Sequence, residues 1–174
     1  NITGIGRVDD SDVLVFMPTS LGNQTAGSFA LYFDGSDVGL DTNAEDLDAL
    51  AVTAGGDLLI STTGNFIVNT LTANDEDLVR FTPTQLGDQP TGTWAMAFDG
   101  SLVGLNQSGE DISDAWQEED AGLYLSMGGA FAFMGLSGGA GDVIDCGVTC
   151  NAAQLYWSAT ANGLPGGLDA LHID

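Results

Sequence analysis

Short runs of β-branched, aromatic and leucine side chains alternate along this chain with stretches rich in Gly, Pro, Asn and Asp. The runs at 13–17, 28–33, 47–52 and 58–62 have the length and composition of β-strands, and 65–71 adds a further extended piece. The F-D-G-S and A-G-G-D stretches between them predict turns, because Gly supplies positive φ and Asp bonds its own backbone. Apolar positions at helical spacing are almost absent. The pattern predicts an all-β chain.

The pattern also repeats. The segment from Asp12 to Gly22 (D-V-L-V-F-M-P-T-S-L-G) recurs 65 residues later, from Asp77 to Gly87, as D-L-V-R-F-T-P-T-Q-L-G. The same offset carries Phe29 onto Trp94, F-D-G-S-D-V-G-L at Phe33 onto F-D-G-S-L-V-G-L at Phe98, and Glu45-Asp46 onto Glu110-Asp111. A third, abbreviated copy has L-Y-W-S-A-T-A-N-G-L from Leu155 and a second L-D-A-L from Leu168. The expected organisation is one all-β domain, 1–174, with units at about 9–73, 74–139 and a shortened 140–174. Four antiparallel strands per unit is the blade of a β-propeller, so the expectation is a propeller-like array of about three blades, the last incomplete. Two ends stand out. The third unit lacks its last strand, and the segment from Ile2 to Val8 reads as an orphan strand. That segment is expected to complete a sheet in its own molecule or in a neighbour, giving a homo-oligomer or filament.

Charge narrows the function. The 174 residues carry 25 acids against two basic side chains, Arg7 and Arg80, for a formal net charge of −23. That excludes a phosphate-backbone binder and a peripheral protein of anionic membranes. No apolar run reaches the length of a membrane-spanning helix. Twenty of the acids are Asp, a turn and oxygen-ligand residue, which raises Ca²⁺ binding, a halophile surface or simple solubility as competing explanations. The two cysteines, Cys146 and Cys150, fit a small disulfide loop, with free cysteines of a cytosolic protein as the alternative; the opening residue Asn1 suggests a processed or truncated product, and the expected location is extracellular or at the cell surface.

At F-D-G-S-D-V-G-L followed by A-E-D-L-D-A-L-A-V the chain resembles secreted bacterial repeat proteins, some of which carry PEP-CTERM-type sorting tails. The resemblance covers both full units and part of the third. It implies an extracellular location and a propeller-like repeat, and brings no catalytic residues with it.

For chemistry, oxygen ligation of Ca²⁺ leads. Asp41, Asn43, Glu45 and Asp46 place side-chain oxygens at close intervals in one loop, and Asn106, Ser108, Glu110 and Asp111 repeat the arrangement with less charge. Asp9, Asp10 and Asp12, and Asp75 and Asp77 around Glu76, form a second kind of cluster ahead of each first strand. The spacing is not that of an EF-hand. Solvated turn acids are the plainer reading of both. Glycoside hydrolysis needs two carboxylates in unlike settings, and Glu118-Glu119-Asp120 reads as an exposed turn instead. His172, flanked by Leu171 and Ile173, reads as a strand residue rather than a triad member. Trp94 and Trp157 occupy repeat-equivalent core positions, whereas Trp116 stands outside the template and could stack on a sugar. The functional expectation is therefore a secreted, non-enzymatic, Ca²⁺-stabilised assembly protein. A Ca²⁺-dependent carbohydrate-binding module using Trp116 is the alternative.

Overall fold

The computed structural model describes residues 2, 4–118, 122–164 and 166–173. It is 47% strand, and among the described residues its only helices are three-residue 3-10 turns, so the all-β expectation holds. The strands are β1 (Val13–Ser20), β2 (Ala26–Phe33), β3 (Leu47–Val52), β4 (Leu58–Thr62), β5 (Phe66–Val68), β6 (Leu71–Ala73), β7 (Leu78–Gln85), β8 (Thr91–Phe98), β9 (Ile112–Glu118), β10 (Gly122–Met127), β11 (Phe131–Phe133), β12 (Leu136–Gly138), β13 (Val143–Asp145) and β14 (Gln154–Trp157).

All named strands pair antiparallel, but the four-stranded sheets do not coincide with the sequence units. One sheet has the order β3-β4-β7-β8, joining the last strands of the first unit to the first strands of the second. The other, in the order β9-β10-β13-β14, joins the second unit to the third in the same way. The hairpin β1–β2 stands alone as a two-stranded sheet. The extended piece expected at 65–71 is a small hairpin, β5–β6, with Asn69 at φ 55° in its turn; β11–β12 repeats it with Met134 at φ 53°. Among the described residues of 2–8 the expected orphan strand does not form. Ile2 bridges only Gly6, through a tight local turn, and no described residue before Val13 belongs to a sheet.

Alternation explains how one strand serves two layers. On β4, Leu58 and Ile60 join a core with Phe33, Phe66, Val79 and Phe81, whereas Leu59 points to a second core with Leu78, Ile112, Leu125 and Ile144. The first core joins the β1–β2 hairpin to the first sheet; the second joins the two four-stranded sheets. The strands β3 and β9 run against each other with Ala49, Ala51 and Ala115 in this second core. Small side chains there let two backbones approach.

The repeated F-D-G-S stretches behave partly as the sequence predicts. Asp34 and Asp99 accept hydrogen bonds from Ser36 and Ser101 hydroxyls at 2.8 and 2.7 Å, and from the N–H groups of Asp37 and Leu102. Gly35 and Gly100, however, have φ of −65°. Their requirement is space, since a Cβ would collide with the carbonyl oxygens of Ser11 and Glu76. Positive φ falls instead on Gly39 and Gly104, at 100° and 96°, where each 3-10 turn ends.

Candidate functional site: carboxylate clamps and an acidic cleft

The acids divide into two physical classes. The first class holds the backbone. Asp12, Asp77 and Asp142 occupy the same place before β1, β7 and β13. Each accepts one N–H from its own turn and one from the loop after the next strand. The donors are Asp9 and Gly35 for Asp12 (3.0 and 3.1 Å), Asn74 and Gly100 for Asp77 (2.8 and 2.8 Å), and Gly139 and Ala159 for Asp142 (3.0 and 2.8 Å). Glu45 and Glu110 do the same for the loops. Glu45 Oε2 accepts the N–H of Asp41 and Thr42 and the Thr42 hydroxyl, while Oε1 accepts the N–H of Ile67 on β5. Glu110 repeats this with Asn106, Gln107 and Ala132. Burial would raise the Glu110 pKa, but these three donors outweigh it and hold the carboxyl below its ordinary value.

These clamps change how the expected metal loops read. Both oxygens of Glu45 and of Glu110 are taken by backbone donors, while Asp41, Asn43, Asn106 and Ser108 are exposed. Among the described residues no group of three or more Asp, Glu, His or Cys side chains is placed to hold a metal ion.

The second class faces other acids. The two kinds of cluster that look separate in sequence meet in space. The N–H of Leu47 donates to the carbonyl of Asp10, and that of Ile112 to the carbonyl of Asp75, both at 3.0 Å. Asp46 thereby lies against Asp10, with Asp9 nearby, and its pKa is raised by burial and by these neighbours. Asp111 contacts Asp48 and feels Asp75. Asp48 is pushed up to about 8, first by burial and then by Asp111. Glu76 rises to about 7 through burial and its contact with Asp75, and Asp114 to about 6 through burial and the charge of Asp169. Burial also raises Asp12 and Asp77. Asp48 and Asp114 belong to neither kind of cluster expected from the sequence. The structure explains Asp48 by a bulge: the β3–β4 register shifts between Leu47 and Ala49, and a bulge re-aims the side chain it carries. Asp114 is only 4% exposed, and its Oδ2 has no hydrogen-bond partner.

A cleft of about 400 Å³ opens beside these groups. It is lined by Asp10, Asp12, Val13 and Leu14, by residues 47–50 of β3, by Asp114 and by 169–171. Elsewhere, Cys146 and Cys150 form the expected disulfide after β13. Trp94 is the core residue expected, packed among Phe33, Phe66 and Phe81, with its Nε1 donating to the Val38 carbonyl at 3.3 Å. Trp116 is half-buried under an edge-on contact with His172, ring centroids 4.2 Å apart, and His172 lies in no strand. Glu119, Asp120, Asn1 and Thr3 lie outside the described residues. No helix of the described residues is long and apolar enough to cross a membrane.

Comparison with protein-family models, with curated proteins and with solved structures finds no match.

Proposed function

We propose that the chain is a non-enzymatic β-repeat scaffold, propeller-like in plan, that assembles through an open sheet edge outside the cell. The four-stranded meanders β3-β4-β7-β8 and β9-β10-β13-β14 serve as blades, with β3 and β9 as neighbouring inner strands. One observation carries the assembly reading. Strands β7 and β13 each lie between two neighbours, whereas their equivalent β1 has only β2 among the described residues. Around that edge Val15 is 37% exposed, and Met17 and Phe29 about half. An unpaired, partly apolar edge is a template for strand addition. The association surface proposed is β1 rather than the segment from Ile2 to Val8, in which Ile2 pairs locally with Gly6.

Supporting the non-enzymatic part, Asp12, Asp77, Asp142, Glu45 and Glu110 are committed to backbone donors. A cation such as Ca²⁺ would relieve the repulsion within the Asp10–Asp46 and Asp48–Asp111 pairs, where burial and the neighbouring acid raise Asp46 and Asp48. Against sugar binding, Trp116 is half-buried with the His172 ring edge-on against it, which reduces the indole surface a sugar could stack on. The decisive measurement is solution mass by light scattering, for the native chain and for Val15→Lys/Met17→Lys. Lysines on an edge oppose pairing, so a multimer that drops to monomer in the variant supports the reading. A native chain that is monodisperse and monomeric at all concentrations ends it.

A further inference from the structure

The repeat itself says what the open edge is shaped to accept. In the first four-stranded sheet β4 lies on β7 with Leu58 opposite Phe81, Leu59 opposite Arg80 and Ile60 opposite Val79. In the second, β10 lies on β13 with Tyr124 opposite Asp145, Leu125 opposite Ile144 and Ser126 opposite Val143. The 65-residue offset carries the acceptor positions of β7 onto Leu14, Val15 and Phe16 of β1. The strand β4 is also locked beyond its ladder. The Ser61 hydroxyl donates to the carbonyls of Asp75 and Asp77, at 3.2 and 2.9 Å, and their equivalents are Asp10 and Asp12.

Those equivalents, with Val13 and Leu14, line the 400 Å³ cleft. In the second unit Asp77, Leu78 and Val79 are buried; here Asp12, Val13 and Leu14 are half-buried beside open volume. Phe81 is fully buried, in contact with Phe33 and Trp94, whereas Phe16 is half-buried and has Phe29 as its ring partner at 4.9 Å. The cleft, the edge and the incomplete aromatic cluster describe one vacated strand position.

We infer that β1 is an acceptor for an unpaired strand of β4-type pattern, an extended apolar segment closing on a serine, lying antiparallel along Leu14, Val15 and Phe16; β4 and β10, each paired on both edges, supply the pattern and not the strand. The pattern of such a strand is given twice in the chain: Asp57-Leu-Leu-Ile-Ser61 and Gly122-Leu-Tyr-Leu-Ser126. Backbone pairing supplies affinity, alternate apolar side chains reach the core at Val13 and the Phe16–Phe29 pair, and a serine placed as Ser61 is on β4 adds a register contact that Ser126 on β10 does not make. This inference rests on the assembly reading and names the chemistry of the partner strand.

The test adds to the intact chain a synthetic peptide with the sequence of residues 55–63, G-G-D-L-L-I-S-T-T, and follows amide exchange and melting temperature. Three controls accompany it: a scrambled peptide, one with Ala at the serine position, and one N-methylated along its backbone. The expected result is saturable protection of the amides of β1 by about tenfold or more, with a higher melting temperature. The Ala peptide is expected to bind more weakly, and the scrambled and N-methylated peptides not at all. Free exchange of the β1 amides at millimolar peptide overturns the inference, as does equal binding of the N-methylated peptide, or protection at the outer edges β2, β8 and β14 in place of β1. Light scattering separates the two proposals. Multimers whose β1 amides exchange freely with and without peptide overturn the strand-acceptor inference and leave assembly through another surface standing. Protection of β1 in a chain that is monomeric throughout upholds the acceptor and overturns self-assembly.

Discussion

Asp48 and Glu110 show two opposite uses of a carboxyl in one chain. Glu110 is charged because backbone N–H groups surround it, and Asp48 retains a proton because burial and Asp111 oppose its charge. Replacing Glu45 or Glu110 with Gln sets an amide NH₂ against those donors, and a cost of about 1–3 kcal/mol per site is expected in urea unfolding. The raised groups set the pH profile. For Asp48, Glu76 and Asp114 the folded state binds protons that the unfolded chain has released, over a window from the ordinary carboxylate range up to about 8. Their stabilising contribution is therefore full below that window and is lost as pH rises through it. The melting temperature should fall between pH 5 and 9 by several degrees, since about 1 kcal/mol moves it roughly 2–4 °C in a domain of this size. Asp48→Asn should flatten that slope and raise stability at the alkaline end; a melting temperature independent of pH would contradict the assignment. The closely spaced oxygens around Glu45 were legible as a cluster but not as a clamp. Ligand spacing is written in the sequence, while the direction of the backbone donors is set only when β5 folds beside the loop. For Asp114 a signal was present: a charge in a strand where the equivalent residue is Ala49.

Strand positions were the most legible elements, because Leu47–Val52 and Leu58–Thr62 carry β-branched and leucine runs between Gly- and Asp-rich turns. The hairpin β5–β6 reads in the sequence only as one extended piece, because its turn at Asn69 and Thr70 carries no Gly to announce it. The tetrapeptide L-D-A-L gives the sharper lesson. At Leu47 it begins β3, paired with β4, whereas from Leu168 the same four residues form no strand. Propensity is identical in the two places, so the neighbouring strand decides. Two variants test the elements that join sheets. Arg80 on β7 bonds Asp57 at 2.8 Å and Gln117 of β9 at 3.0 Å, tying one sheet to the next. Because the Asp57 pair is partly solvated, Arg80→Met is expected to cost no more than about 1 kcal/mol, read by chemical denaturation. The Cys146–Cys150 bridge closes a short loop, so its entropic contribution is limited. Cys146→Ser/Cys150→Ser should lose about 2 kcal/mol on that account, with some added loss because both residues sit in the second core.

At −23 with two arginines, the protein as a whole is opposed by its own field. Raising NaCl from about 0.05 to 1 M shortens screening from above 10 Å to about 3 Å, and the melting temperature should climb accordingly. Ca²⁺ at millimolar concentration should exceed what equal ionic strength achieves if the Asp10–Asp46 and Asp48–Asp111 pairs take it up, and chelator should reverse the gain. The repeat was readable from end to end in the sequence, down to Phe29 answering Trp94. Its phase was not, because a 65-residue period has no marked starting point and only pairing shows where a sheet begins. That phase has a consequence for how the molecule comes apart. As in brickwork laid in running bond, no joint between units passes cleanly through the wall: separating the first unit from the second would tear β4 from β7. Unfolding is therefore expected as one concerted collapse rather than unit by unit, and a lesion in either copy should be felt across both.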